Sequence, residues 1–142
     1  MNKKSSKVLL TSIMLILTLS MMALLTGCGG PSNLEEYIND NPSEQETLDN
    51  TANTMSKSGM DATVEVKENT ITFSCKLDQT VEKSNLDATK SAMKQYMETM
   101  KPTVQPTIKK LEEDTKIDGI SMKFIIVDKE GTELCNSEFK SE

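Results

Sequence analysis

The sequence predicts an α+β domain in α-β-β-α-β-β order, with its helices packed on one face of a four-stranded antiparallel sheet. Three observations point there. Apolar residues recur at helical spacing in two stretches, they alternate with period two in two others, and turn residues punctuate each change of period.

The first helical signal is short. Ser32 and Asn33 precede Leu34-Glu35-Glu36-Tyr37-Ile38, and each has a glutamate three residues on, the spacing of a capping box. Asn41-Pro42-Ser43-Glu44 repeats the logic, with Asn41 as N-cap and Pro42 at the first helical position. Leu48, Ala52 and Met55 then share a face and Gly59 offers a stop, so an amphipathic helix is expected over 42–58.

The period next falls to two. Ala62, Val64 and Val66 alternate with polar neighbours, as do Ile71, Phe73, Cys75 and Leu77. Glu68-Asn69 separates the runs, and Asn tolerates the positive φ of a tight hairpin, so two paired strands are expected. From Asn85 the helical period returns through Leu86, Met93, Met97, Met100, Val104, Ile108 and Leu111. Pro102 and Pro106 interrupt the hydrogen-bond ladder but not the apolar phase, which fits one element kinked near 101–105 or two abutting helices. Asp118-Gly119 is read as its end. Ile120, Met122, Phe124 and Ile126 then alternate, Asp128-Lys129-Glu130-Gly131 forms a turn, and Thr132 to Phe139 makes the last strand.

Ahead of this domain lies a segment of different character. Lys3, Lys4 and Lys7 precede an apolar run from Val8 to Leu25, which closes on Leu25-Thr26-Gly27-Cys28. A basic start, an apolar run and small residues before a cysteine make a bacterial lipoprotein signal. The run of 18 residues is at the lower limit of a membrane span, but Gly27-Cys28-Gly29-Gly30-Pro31 cannot continue a helix. Leu25, Thr26 and Gly27 resemble the lipobox that directs cleavage before Cys28 and diacylglyceryl transfer to its sulfur. The expected organisation is a signal peptide over 1–27, a lipidated Cys28 and short tether over 28–33, and one domain over 34–142. Gly29-Gly30-Pro31 spans only about 10–15 Å, so the domain is expected to sit close to the outer face of the cytoplasmic membrane.

Without residues 1–27 the chain keeps 13 Lys against 22 acids, a net charge of −9, with no Arg and no His. That balance disfavours nucleic acid and anionic lipid headgroups as partners. Lipid chains, not basic residues, are expected to anchor it.

The phrases Leu34-Glu35-Glu36-Tyr37-Ile38 before Asn41-Pro42, Glu65-Val66-Lys67-Glu68-Asn69-Thr70, Asp118-Gly119-Ile120, Glu130-Gly131-Thr132-Glu133-Leu134 and Ser137-Glu138-Phe139 carry a resemblance. Together they resemble a family of small lipoproteins from low-GC Gram-positive bacteria, a domain of unknown function. The resemblance covers almost the whole mature chain and implies a location and a fold. Its motifs are caps, turns and strand cores, and it implies no activity.

The residues themselves argue against catalysis. With no His, a Ser-His-Asp or Cys-His arrangement is impossible, and zinc would rest on Cys and carboxylates alone. No phosphate-cradling glycine loop is present. The chain is read as no enzyme, with no cofactor and no metal. Cys75 and Cys135 remain after Cys28 is assigned to lipid, and either a disulfide or two buried thiols fits them. Met93, Met97 and Met100 offer soft thioethers for copper(I), but they coincide with the helix's apolar face and are read as core. Glu112, Glu113, Asp114 and Asp118 lack calcium-loop spacing and read as a solvated helix end. The expected function is that of a membrane-anchored, extracytoplasmic interaction module contacting another envelope protein or a wall component. The alternative is a lipoprotein binding a small ligand or metal between helices and sheet.

Overall fold

The computed structural model describes residues 30–57 and 59–142. Two helices, α1 (Leu34–Asp40) and α2 (Pro42–Lys57), lead into strands β1 (Met60–Lys67) and β2 (Thr70–Leu77). A 3-10 turn at Lys83–Asn85 opens the long helix α3 (Leu86–Thr115), and β3 (Ser121–Val127) and β4 (Glu133–Lys140) complete the chain. The α+β class and the α-β-β-α-β-β order are those read from the sequence.

The sheet order is β1-β2-β3-β4, and it is mixed. β1–β2 and β3–β4 are antiparallel hairpins, but the central pair β2–β3 is parallel, which corrects the expectation of an antiparallel sheet. Helix α3 is the reason. It returns the chain from the Leu77 end of β2 to the end where β2 began, so a neighbouring strand entered there must run the same way. Val81 N–H donates to Asp128 beyond the end of β3, and Ser121 N–H donates to the Asn69 carbonyl at its start, which marks the two ends of this crossover.

One core lies between the helices and the sheet. Ile71, Phe73, Cys75 and Leu77 of β2 and Met122, Phe124 and Ile126 of β3 face Leu34 and Ile38 of α1, Leu48 and Met55 of α2, and Met93, Met97, Met100, Val104 and Ile108 of α3. Phe73 and Phe124 stack with centroids 5.3 Å apart, and Phe139 meets Phe124 edge-on at 5.9 Å.

Helix α3 is continuous through Pro102 and Pro106, both of which lie on its exposed face. Two abutting helices are therefore not formed. The apolar face supplies the tertiary packing that outweighs the missing amide donors. The helix ends at Thr115, short of Asp118-Gly119, with Lys116 in the left-handed conformation and its N–H on the Glu112 carbonyl.

The capping expectations hold in part. Asn33 Oδ1 accepts from Glu36 N–H at 2.8 Å, and Glu36 reaches back to Ser32. Those Ser32 hydrogen bonds lower the Glu36 pKa. Asn41 behaves differently from a simple side-chain cap, because its Nδ2 donates to the Tyr37 carbonyl at 2.7 Å while its own carbonyl accepts from Glu44 N–H. It closes α1 while opening α2. At the β1–β2 turn the positive φ falls on Glu68 and not on Asn69.

Asp128 organises the β3–β4 turn. It is 1% exposed, and its carboxylate accepts from the backbone N–H of Val81, Glu130 and Thr132. Burial pushes its pKa up, but these donors and the Thr132 hydroxyl outweigh burial and leave it below the ordinary Asp value of 3.8. A carboxyl with a depressed folded-state pKa favours the fold fully above its unfolded value. That contribution disappears as pH falls from about 3.8 through the lower folded value. Thermal melts should therefore fall faster over that acid range in the native chain than in Asp128→Asn. The variant should also melt lower at pH 7, since its amide would set an NH2 against Val81 N–H. Parallel pH profiles for the two chains would refute the assignment.

Candidate functional site

Cys28 and Leu25, Thr26 and Gly27, expected from the sequence to form a lipobox, lie outside the described residues, as do residues 1–27 as a whole. The chain enters the described domain at the end of the fold formed by the β1–β2 turn and the α3–β3 loop. There Asn69 joins three segments: its Oδ1 accepts from Leu34 N–H at 2.9 Å, and its Nδ2 donates to the Asp118 carbonyl at 3.1 Å. Its backbone carbonyl takes Ser121 N–H. Glu35 adds a reciprocal pair, its N–H donating to the Glu68 carbonyl and its carboxylate accepting from Glu68 N–H.

The acidic residues that close α3 do not converge. Glu112 Oε1 accepts from Gly119 and Ile120 N–H at 2.9 and 3.0 Å, capping the loop that follows. Asp114 pairs with Lys110 at 2.7 Å on a half-exposed surface. Among the described residues no group of three or more His, Cys, Asp or Glu is placed to hold a metal ion. Met93, Met97 and Met100 are at most 5% exposed and pack into the core, so the stripe read from the sequence is its helical wall.

Both remaining thiols are free and buried. The Cys75–Cys135 bond left open by the sequence is not formed, for a reason of register. Ile126 of β3 is the lateral neighbour of Cys75 on one side and of Cys135 on the other. Two strand spacings, roughly 9–10 Å, therefore separate the two residues, beyond the ~7 Å that a disulfide spans. Burial pushes the Cys75 thiol up to about 11. A thiol reagent at neutral pH should react slowly with Cys75 in the folded chain and label it fully only after denaturation. Rapid native labelling of Cys75 would contradict its packing.

Among the described residues, the sheet offers two surfaces to a partner. The sheet face away from the helices alternates signs: Asp61, Glu65, Glu133 and Glu138 against Lys67, Lys76, Lys123 and Lys140, with Thr63, Thr72 and Ser74 between them. Only Ile125 and Val127 add half-buried apolar surface there. The second surface is the edge of β4. A groove of ≈ 340 Å³ runs beside it, walled by Lys90, Lys94 and Glu98 of α3 and by Glu133–Ser137. Leu134 and Cys135 are both buried because a bulge at Ile126/Val127 inserts an extra residue opposite β3, and Cys135 Sγ lies 3.4 Å from Ser137 Oγ. The opposite edge is partly closed, since Ser56 Oγ of α2 accepts from Ala62 N–H at 3.1 Å on β1.

A family model described as a domain of unknown function, DUF4854, matches residues 34–139. The chain belongs to the DUF4854 family. No curated protein and no solved structure matches it. The matched span runs from the first residue of α1 to the penultimate residue of β4, so the family boundary coincides with the folded unit.

The DUF4854 groove at β4 escaped the sequence reading. Its walls are separated by about forty residues, and they meet only because β4 is an edge strand and α3 packs beside it. The signal that could have found it is the βαβ rule applied to β2-α3-β3, which makes β4 the outer strand.

Proposed function

We propose that this DUF4854 protein is a small lipoprotein of a Gram-positive cell envelope and a non-catalytic interaction module. In this reading Cys28 carries the diacylglyceryl group, and the domain is held at the outer face of the cytoplasmic membrane. It contacts another envelope protein or a wall component. The observation that carries the reading is Leu25-Thr26-Gly27-Cys28 followed by only five residues before α1. Two chains of lipid, at ~0.8 kcal/mol per buried methylene, suffice for stable anchoring without basic residues.

The fold supports the docking part. Asn69 ties the start of α1 to the hairpin tip, so a tether entering there leaves the open sheet face and the β4 edge along the sides of the domain. The space between helices and sheet is occupied by the core side chains, which favours surface docking over an internal ligand. Crosslinking pull-down from intact cells, with Cys28→Ala as control, tests the reading. An envelope protein recovered only with the anchored form is the expected result. Equal recovery with both forms, or recovery of nothing, would refute it.

A further inference from the structure

Backbone parity decides which groups β4 offers. Ser121 N–H bonds the Asn69 carbonyl, so Ser121, Lys123 and Ile125 turn their amides toward β2 and the residues between them toward β4. On β4, Phe139 and Ser137 answer β3, and Asn136, Glu138 and Lys140 turn their N–H and C=O groups outward. Gln105 Nε2 donates to the Lys140 carbonyl at 3.3 Å, an independent mark of the same parity. That bond closes the edge at one end, and the bulge at Leu134 closes it at the other. Asn136 and Glu138 lie in the window between.

The groove beside this window has the dimensions of one short strand. Lys90, Lys94 and Glu98 form one helical row about 12 Å long, and Glu133–Ser137 extends about 13 Å. Among the described residues neither Lys90 nor Lys94 has a carboxylate within ion-pair distance.

We propose that this groove binds one extended peptide segment of a partner protein, paired through its backbone to Asn136 and Glu138 and holding a carboxylate against Lys90 and Lys94. The proposal rests on the interaction-module reading and specifies its site and partner chemistry. Strand addition supplies affinity through main-chain hydrogen bonds, and the lysines select an acidic position. A second copy paired antiparallel through β4, with both helices on one face, does not fit. Pairing β4 to β4 would bring two α3 helices above strands about 4.8 Å apart, while packed helices need 8–10 Å. A lone extended segment brings no helix.

The test uses the full chain, purified with its anchor in detergent and panned against a phage library of random ten-residue peptides. Enriched peptides should share an Asp or Glu at a fixed place, and a synthetic consensus peptide should slow amide exchange at Asn136 and Glu138. Its affinity should fall about tenfold in Asn136→Pro, which removes an outward donor while sparing the β3 ladder, and similarly in Lys90→Glu/Lys94→Glu. The lysine pair and the exchange readout keep the test decisive if the proline variant misfolds. No enriched consensus, or a consensus indifferent to these changes, overturns the proposal. Peptides that instead lose affinity with Lys123→Glu, on the open sheet face, overturn the groove while leaving the interaction-module reading standing.

Discussion

Phe124→Ala is expected to lower the unfolding free energy by about 3–5 kcal/mol, the cost of truncating a buried aromatic ring. Phe124 sits on a central strand, is 2% exposed, and touches Phe73 on one side and Phe139 on the other. Removing it deletes both ring pairs and leaves a void bounded by two strands and α3, which cannot all collapse into it. Against a total stability of roughly 5–15 kcal/mol the loss is severe, and the melting temperature should drop by roughly 10–20 °C. Phe124→Leu, which keeps most of the volume, should lose less than half as much. Phe139→Ala on the edge strand should also cost less, because its site opens more readily to solvent. Urea unfolding followed by circular dichroism reads all three. A Phe124→Ala chain as stable as the native one would mean that the ring is not central to the core.

Asn69→Ala should cost about 2–3 kcal/mol, although the residue lies in a turn where substitutions are usually mild. The effect comes from what the side chain joins. Leu34, fully buried, loses the acceptor for its N–H, and the Asp118 carbonyl loses its donor. The start of α1 and the Asp118 loop then lose their link through the turn side chain, and only the Glu35–Glu68 and Ser121–Asn69 bonds remain at the end where the chain enters α1. Asn69→Asp keeps the acceptor for Leu34 N–H but sets a carboxylate oxygen against the Asp118 carbonyl, so it should not recover native stability. Glu68→Gly should be neutral or stabilising by about 0.5–1 kcal/mol, because Glu68 has φ 52° and it bonds Glu35 only through its own N–H and carbonyl. Amide exchange at α1 distinguishes the mechanisms: release of protection in Asn69→Ala, none in Glu68→Gly. If α1 stays protected in Asn69→Ala, other contacts hold the helix and the tie is dispensable.

Asn69 also shows where a reading of the chain goes astray. Its place between two alternating runs marked a turn, and that turn is formed. The sequence suggested Asn for its tolerance of positive φ, yet Glu68 adopts that conformation and Asn69 is retained in the turn with its amide bonded at both ends. Tolerance of a backbone angle is a local property, visible in one residue. A side-chain tie between α1 and the α3–β3 loop depends on partners 35 and 49 positions away.

The same division separates the cysteines from the methionines. Met93, Met97 and Met100 keep the phase of one helical face, so their burial followed from the sequence alone. Cys75 and Cys135 each fall on the core side of their strand by parity, as they do in the structure. Whether they meet depended on the strand between them, which parity does not reveal. Only sheet order places Ile126 there.

What the sequence determined by itself is the set of elements, their order and their buried faces, because helix and strand periodicity, caps and turns are short-range properties. It also carries Leu25-Thr26-Gly27-Cys28, on which the proposed anchorage rests. The tertiary structure decided the parallel central pair, the separation of the two thiols and the groove between α3 and β4. Each of these arises when α3 carries the chain back across the sheet and leaves β4 at its edge. Such a return brings together residues whose local patterns are independent of one another.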